Sequence, residues 1–183
     1  GDGGAIFTND DDLAQELQAI RMHGKGSTRY DNVRIGLNSR LDTIQAAILE
    51  VKLQAFIDYE LEKLNQIANA YSERLKDLVK TPVIPENYYS SWAQYTIQLE
   101  NKKQRDTLQQ KLKEQGIPTM VYYPKPLSQQ LAFVGLSCTK DNFLTTKDLC
   151  DIVLSLPIYL YAEKEVVLKI CEAVGTSIIK SKS

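Results

Sequence analysis

Asn38 and Arg40 are the pair of residues whose types and spacing best suit the binding of an anion. They flank Ser39, which with Asp42 fits a capping box, where a serine accepts from the third helical amide and an acid bonds back. The free amides and positive dipole end of a helix start favour a phosphate or carboxylate. Arg40, in the predicted first turn, opposes that dipole at a cost of about 0.3–1 kcal/mol. Two interpretations are equally open: Arg40 meets an anionic ligand, or it pairs with Asp42 or another acid.

Tyr122 and Tyr123 form a second candidate site, at the end of a predicted strand and before a rigid Pro-Lys-Pro turn. Side chains at the point where a strand gives way to a loop often face a ligand. The alternative is that one tyrosine packs in the core and the other lies at the surface. Periodicity alone favours this alternative.

Other kinds of active site are disfavoured. His23 is the only histidine, and it lies at a predicted helix end, where a histidine more often caps carbonyls than does chemistry. Residues 24–28 read Gly-Lys-Gly-Ser-Thr, but a phosphate loop needs Gly-Lys-Ser/Thr without interruption and a preceding strand. We therefore predict no nucleotide loop here, and we expect Lys25 to be an exposed loop residue.

The cysteines are three in number and far apart, at positions 138, 150 and 171. With a single histidine they do not predict a zinc site. Cys150 and Cys171 fall on apolar helix faces, where we expect reduced core thiols.

The composition suits a globular protein rather than a nucleic-acid or membrane protein. The chain has 183 residues, 43% of them hydrophobic, and a formal net charge of −1. Such a length allows one domain, or a small domain with a piece of another. The near-neutral charge gives no electrostatic footprint for nucleic acid or an anionic membrane. No apolar run approaches the ~20 residues of a membrane span, and no signal peptide is recognisable, so a cytoplasmic location is expected.

The first part of the sequence predicts a short strand, a helix, a loop and a long helical stretch. Residues 1–8 run from glycines into an apolar strand, and residues 9–12 supply an N-cap and acidic first turn for a helix with Leu13, Leu17 and Ile20 inward. A polar loop then reaches Leu37. From about residue 41 to 78 apolar residues keep helical spacing with neither Gly nor Pro, longer than a typical globular helix. We expect a bend or break at residues 56–60, at a domain boundary.

The second part alternates strands and helices. We predict strands at residues 93–99, 119–123 and 156–159. Helices are predicted at residues 105–115, from a capping box of Thr145 and Asp148, and at 163–174 with Gly175 as its end. This alternation predicts a small α/β domain.

Residues 36–49, which read Gly-Leu-Asn-Ser-Arg-Leu-Asp-Thr-Ile-Gln-Ala-Ala-Ile-Leu, resemble the DegT/DnrJ/EryC1/StrS family of sugar aminotransferases. Supporting stretches follow in the family's order at residues 1–8, 21–24, 91–97, 116–119, 122–127 and 156–158. The resemblance implies an α/β fold of the fold-type I pyridoxal-phosphate transferases. Residues 1–56 would be the C-terminal piece of the large cofactor-binding domain, and residues 57–183 the small α/β C-terminal domain, with the long central helix between them.

The resemblance also implies an activity. In that family a lysine holds pyridoxal phosphate as a Schiff base, and glutamate donates the amino group. The acceptor is a keto-sugar linked to a nucleotide diphosphate, and in some members this sugar is a uronic acid. The lysine of the family precedes the Gly-Asp-Gly-Gly run, so it is expected upstream of Gly1. We therefore expect no catalytic residue within these residues, no metal site, and no activity of the chain alone.

Residue roles are implied for matching positions only. Asn38 resembles the asparagine that reaches the cofactor phosphate of the neighbouring subunit in a homodimer. Arg40 and Tyr123 resemble residues lent to the neighbour's substrate pocket, where they would bind a sugar carboxylate. Tyr122, which stands where relatives often carry histidine, is assigned to the same pocket. Because residues 1–56 would lack their sheet partners, exposed apolar surface is expected there.

Two alternatives remain. Some relatives carry histidine in place of the Schiff-base lysine and dehydrate their sugar. The identity of that residue, upstream of Gly1, distinguishes this activity from transamination. A non-catalytic helical dimerisation module is the other alternative, and it predicts that these residues form a stable, specific assembly by themselves.

Overall fold

The computed structural model describes residues 3–28, 30–133, 135 and 143–182, the side chains of 180–182 excepted. Contacts between residues divide the chain into two compact units, Gly1–Asp58 and Tyr59–Ser183. That residues 1–56 are the C-terminal piece of a large domain and residues 57–183 a small α/β domain stays a prediction.

The first unit begins with an irregular segment and a capped helix. Helix α1 spans Asp11–Arg21, and the carboxylate of its N-cap, Asp10, accepts a hydrogen bond from the Leu13 amide at 3.0 Å. The predicted cap is therefore confirmed. The predicted strand is wrong, because residues 3–8 have no strand partner among the described residues.

After α1 the chain makes a loop that returns to the end of that helix. The His23 amide donates to the Leu37 carbonyl at 2.9 Å, and the Leu37 amide to that of Ile20 at 2.7 Å. Two glycines make this approach possible. A Cβ on Gly36 would lie 2.0 Å from the Gly24 nitrogen, and Gly24 itself, at φ +74°, could not carry a side chain without meeting the opposing backbone.

Three consecutive helical segments follow. Helix α2 spans Thr43–Ala55, a π-helical segment spans Phe56–Glu60, and helix α3 spans Leu61–Leu75. The π-helical segment confirms the predicted break in the α-helix. The predicted capping box is wrong, since Asp42 is the N-cap and its side chain makes no capping bond. Ser39 is held in the returning loop instead, its amide donating to the Arg21 carbonyl at 3.0 Å.

Helix α2 carries two exposed apolar stripes on opposite sides. Ile44, Ile48 and Val51 form the first stripe, with exposures of 76%, 57% and 74%. At 100° per residue, Leu49 and Leu53 lie on the opposite side, and they are also exposed. No residue of α1 or α2 is buried, and of the three residues predicted to face inward Leu13 is exposed while Leu17 and Ile20 are half-buried. The expected exposed apolar surface is confirmed.

The second unit is built on a small antiparallel sheet. Strand β1 (Tyr95–Gln98) pairs with β2 (Val153–Leu156), with Tyr95 opposite Leu156. Single bridges extend it, Lys80 with Gln98 and Met120 with Ser155. In place of the strand predicted at residues 119–123, the structure has a single bridge at Met120. The strand predicted at 156–159 instead ends at Leu156, because Pro157 has no amide to donate.

Three further helices complete this unit: α4 (Lys102–Glu114), α5 (Leu144–Ile152) and α6 (Lys164–Lys182). Helix α6 packs against α3 and α4, and α4 also packs against α5. Helix α5 begins without a side-chain cap, so the predicted box of Thr145 and Asp148 does not form. Helix α6 continues through Gly175, where an end was predicted, because Val174 and Ile178 on either side are buried in the core.

Aromatic residues connect α3 to the sheet. The rings of Tyr71 and Trp92 lie 5.0 and 5.6 Å from that of Tyr95, centroid to centroid. Burial raises the pKa of Tyr95 to about 12, while a hydrogen bond with Ser72 opposes that rise.

Burial likewise raises the pKa of Cys171 to about 11. Cys150 and Cys171 are free and buried, as predicted, and Cys138 lies outside the described residues.

Asn65 of α3 fixes the segment that leads into β1. The Trp92 indole N–H donates to Asn65 Oδ1 at 2.8 Å. Asn65 Nδ2 in turn donates to the Ser90 carbonyl at 3.1 Å and to that of Leu61 at 2.8 Å. Because Trp92 is only 6% exposed, its indole N–H depends on this partner.

We expect Asn65→Ala to lower the free energy of unfolding by about 1–3 kcal/mol, because it leaves the buried Trp92 N–H without an acceptor. Urea denaturation followed by Trp92 fluorescence measures the change. Gln66→Ala, which removes an exposed side chain bonded only to Glu62, is the matched control and should shift the midpoint little. Equal shifts in the two variants would contradict the role given to Asn65.

We expect Gly36→Ala to open the loop between α1 and α2, because its new Cβ would overlap the backbone of residues 23 and 24. Hydrogen–deuterium exchange of the His23 and Leu37 amides should become faster. Gly4→Ala is the control, since a Cβ there meets nothing within 4 Å. Unchanged protection of these amides in Gly36→Ala would show that the backbone at Gly36 does not lie against residues 23 and 24.

Candidate functional site

Asn38 lies in the returning loop of the first unit, where it forms a backbone bridge with Met22. Sequence patterning placed it beside the helix cap, but it precedes the true N-cap, Asp42, by several residues. Its side chain is exposed and makes no hydrogen bond within the described part of the chain. The amide N–H groups of Asn38 are therefore available to a ligand.

Arg40 also precedes the helix, so its predicted place in the first turn is wrong. The structure starts α2 at Thr43, and the argument from helix-dipole opposition does not apply to Arg40. Its guanidinium is exposed and forms no ion pair with any residue that the structure describes. The alternative of a local pair with Asp42 is thus not what the structure shows.

The start of α2 adds further donors to the same segment. The Ala46 amide donates to the Asp42 carbonyl at 2.8 Å, which makes it the first amide bonded within the helix. The Asp42 carboxylate caps none of the earlier amides. Amides without a cap, a free Asn38 amide and an unpaired Arg40 all favour a bound anion, while the Asp42 carboxylate opposes one.

Tyr122 and Tyr123 lie together in the second unit. Their ring centroids are 5.6 Å apart in an edge-on arrangement, and the side chains are 40% and 69% exposed. Neither hydroxyl has a hydrogen-bond partner among the described residues. Both tyrosines are accessible, so the alternative that one of them packs into the core is not supported. A short 3-10 turn, Leu127–Gln129, follows them.

A groove of about 330 Å³ adjoins Tyr122, and sequence reasoning missed it. Its walls come from three separate segments, residues 93–94, 118–120 with Tyr122, and 155–158. Bridging of Met120 to Ser155 brings the last two together. No pattern within any one segment signals the groove, since it arises from pairing distant in sequence.

The remaining candidates do not form a site. His23 is exposed, with φ +64°, and its side chain bonds to no described residue, so the predicted carbonyl cap is wrong. Lys25 lies half-exposed in the loop and bridges Asn32 through the backbone. The described residues contain no cluster of three or more His, Cys, Asp or Glu suited to a metal. None of the helices they form is both long and apolar enough to cross a membrane.

Comparison with known proteins identifies the relatives of this chain. The model of the DegT/DnrJ/EryC1/StrS aminotransferase family matches residues 1–175. A UDP-2-acetamido-2-deoxy-3-oxo-D-glucuronate aminotransferase of Pseudomonas aeruginosa is 41% identical over 174 residues, 94% of this chain and 46% of that protein. A dTDP-3-amino-3,6-dideoxy-alpha-D-galactopyranose transaminase of Aneurinibacillus thermoaerophilus is 35% identical over 94% of this chain and 46% of its own length.

A solved structure of the same family superposes on this chain. The crystal structure of a DegT DnrJ EryC1 StrS aminotransferase from Brucella abortus superposes with a TM-score of 0.80 at 44% identity, over 94% of this chain and 45% of that one. This confirms the predicted α/β fold of the fold-type I aminotransferases. The chain spans about half the length of the relatives it matches. On these grounds the chain belongs to the DegT/DnrJ/EryC1/StrS aminotransferase family.

Proposed function

We propose that the protein is a pyridoxal-phosphate aminotransferase that moves an amino group from glutamate to a keto-sugar linked to UDP or dTDP. The proposal rests on the segment of residues 38–42, in which the Asn38 amide and the Arg40 guanidinium have no partner among the described residues and the following helix start has no side-chain cap. It lies in a chain that matches the aminotransferase family over residues 1–175.

The residues present fit the phosphate of the cofactor. A phosphate has only acceptor oxygens, and the Asn38 amide N–H groups and the amides at the start of α2 are donors without partners. Arg40 offsets the negative charge of Asp42. When bound, pyridoxal phosphate supplies an electron sink for reactions at the carbon that bears the amino group. The role of Asn38 is to hold its phosphate.

Arg40, Tyr123 and Tyr122 suit a sugar substrate. A guanidinium binds a carboxylate through two parallel hydrogen bonds, and the P. aeruginosa relative is named for a glucuronate. A tyrosine hydroxyl donates to a sugar oxygen, and both tyrosine hydroxyls are unpaired within the described residues. We propose that Arg40 binds the carboxylate of a uronic acid and that the two tyrosines orient the sugar.

We also propose that the protein acts as a homodimer in which Asn38 and Arg40 serve the neighbouring subunit. Helix α2 supports this proposal, because its two apolar stripes face opposite ways and a helix apolar on both sides is a buried one. Leu49, on one stripe, is approached by Gly3 of the same unit. The stripe of Ile44, Ile48 and Val51 faces away, and we assign it to the second copy.

Asn38→Ala should weaken the binding of pyridoxal phosphate about tenfold in the active protein, and Asn38→Asp should weaken it further because a carboxylate repels the phosphate. Absorbance titration of the cofactor measures both changes. Asn9→Ala, an exposed asparagine before α1, should bind the cofactor as the unchanged protein does. Cofactor affinity that is the same in all four proteins would remove Asn38 from the site.

Ile48→Lys should shift the protein from dimer to monomer at micromolar concentration, because it places a charge on the stripe assigned to the second copy. Sedimentation velocity reports the change in mass. Gln54→Lys adds the same charge to a polar side of α2, next to Asp58, and should leave the dimer intact. A dimer that survives Ile48→Lys would refute the assignment of this stripe.

A further inference from the structure

We infer that the groove beside Tyr122 is the subsite for the pyrimidine base of the nucleotide-linked substrate. This inference rests on the proposed function and extends it to a part of the substrate that Arg40 and the tyrosine hydroxyls do not address. The groove lies wholly within the second unit. Its principal side chains are Gln94, Pro118, Met120, Tyr122, Leu156 and Ile158.

The size and lining of the groove match a single heteroaromatic ring. Its volume, about 330 Å³, is at the lower end of the range for small-molecule sites, so it suits a part of a nucleotide-sugar rather than the whole. Met120 is 54% exposed and Tyr122 is 40% exposed, so each offers an apolar face. Bases stack readily on aromatic rings, and a methionine thioether packs favourably against a flat ring.

The walls of the groove are fixed before any ligand arrives. Met120 and Ser155 exchange two backbone hydrogen bonds, of 3.2 and 2.8 Å. The Ser155 hydroxyl bonds to that of Thr96 at 2.8 Å. The Pro157 carbonyl accepts from the buried Tyr71 hydroxyl at 2.8 Å. These polar groups are all occupied, so they hold the shape of the groove without competing for a ligand.

Gln94 is the side-chain amide of the groove, and Thr119 and Tyr122 add a hydroxyl each. Gln94 is exposed, and its side-chain amide makes no hydrogen bond within the described part of the chain. A carboxamide offers an acceptor and a donor side by side. Uracil and thymine present the complementary pair, an imide N–H beside a carbonyl, so one glutamine can form two parallel hydrogen bonds with either base. The methyl group that distinguishes thymine would meet the apolar walls.

The test is the binding of uridine 5′-monophosphate, measured by calorimetry with the protein free of sugar substrate. Gln94→Met keeps the length of the side chain but removes the amide, and it should weaken binding about tenfold. Gln98→Met makes the same change farther along β1, outside the groove, and should have no effect. Ribose 5′-phosphate, which lacks the base, should bind at least about tenfold more weakly than the uridine nucleotide, because only the base occupies the groove.

A second variant, Met120→Trp, fills the groove. It should raise the KM for the nucleotide-sugar while leaving the KM for the amino donor unchanged. The inference is overturned if the unchanged protein does not bind uridine 5′-monophosphate at millimolar concentration. It is also overturned if Gln94→Met and Met120→Trp bind that nucleotide as the unchanged protein does, the result expected if another segment of protein covers the groove.

The two proposals fail separately. If the protein transaminates and both variants bind the nucleotide as the unchanged protein does, the proposed function stands and the groove is not the subsite for the base. Loss of nucleotide binding in Gln94→Met, in a protein that shows no transamination, would support the groove and refute the proposed reaction.

Discussion

Two glycine positions determine where the segment of residues 38–42 lies. The loop after α1 comes back to the end of that helix through backbone hydrogen bonds at residues 20–39, and only glycine fits at positions 24 and 36. This close return bridges Asn38 to Met22 through the backbone, and the Asn38 side-chain amide has no partner among the described residues. The Ser39 amide donates to the Arg21 carbonyl within the same loop, and α2 starts later, at Thr43. The availability of Arg40 and of the first amides of α2 therefore follows from the packing of a loop.

In the second unit, the buried polar side chains are hydrogen-bonded to groups around the sheet. Asn65, Tyr71 and Ser72 each bond to a group on or near the sheet, and no buried side-chain polar atom among the described residues lacks a partner. Tyr122, Tyr123 and Gln94, whose side-chain polar groups have no hydrogen-bond partner among the described residues, lie at the surface. This separation is expected of a rigid framework that presents a few adaptable contacts to a ligand.

Sequence patterns predicted the elements whose stability is local or strongly periodic. Spacing of apolar residues identified α3 and β1, the acids before Leu13 identified a cap, and an overlong helical pattern identified the break at residues 56–60. Predictions failed where distant contacts decide the outcome. Ser39 looks like a helix cap until Arg21 takes its amide, and Gly175 looks like a helix end until the burial of its neighbours keeps α6 going. The groove was invisible for the same reason, since Met120 and Ser155 are far apart in sequence.

The way the groove is built also affects how such a protein can diverge. Its shape depends on main-chain pairing between residues 120 and 155 and on Tyr71 beneath, whereas Gln94 and Met120 contribute nothing to the buried core. Exchanging side chains at these two positions therefore changes the surface offered to a ligand at little expense in folding. Gene duplicates could drift at such positions from one ligand to another while the scaffold stays under unchanged selection.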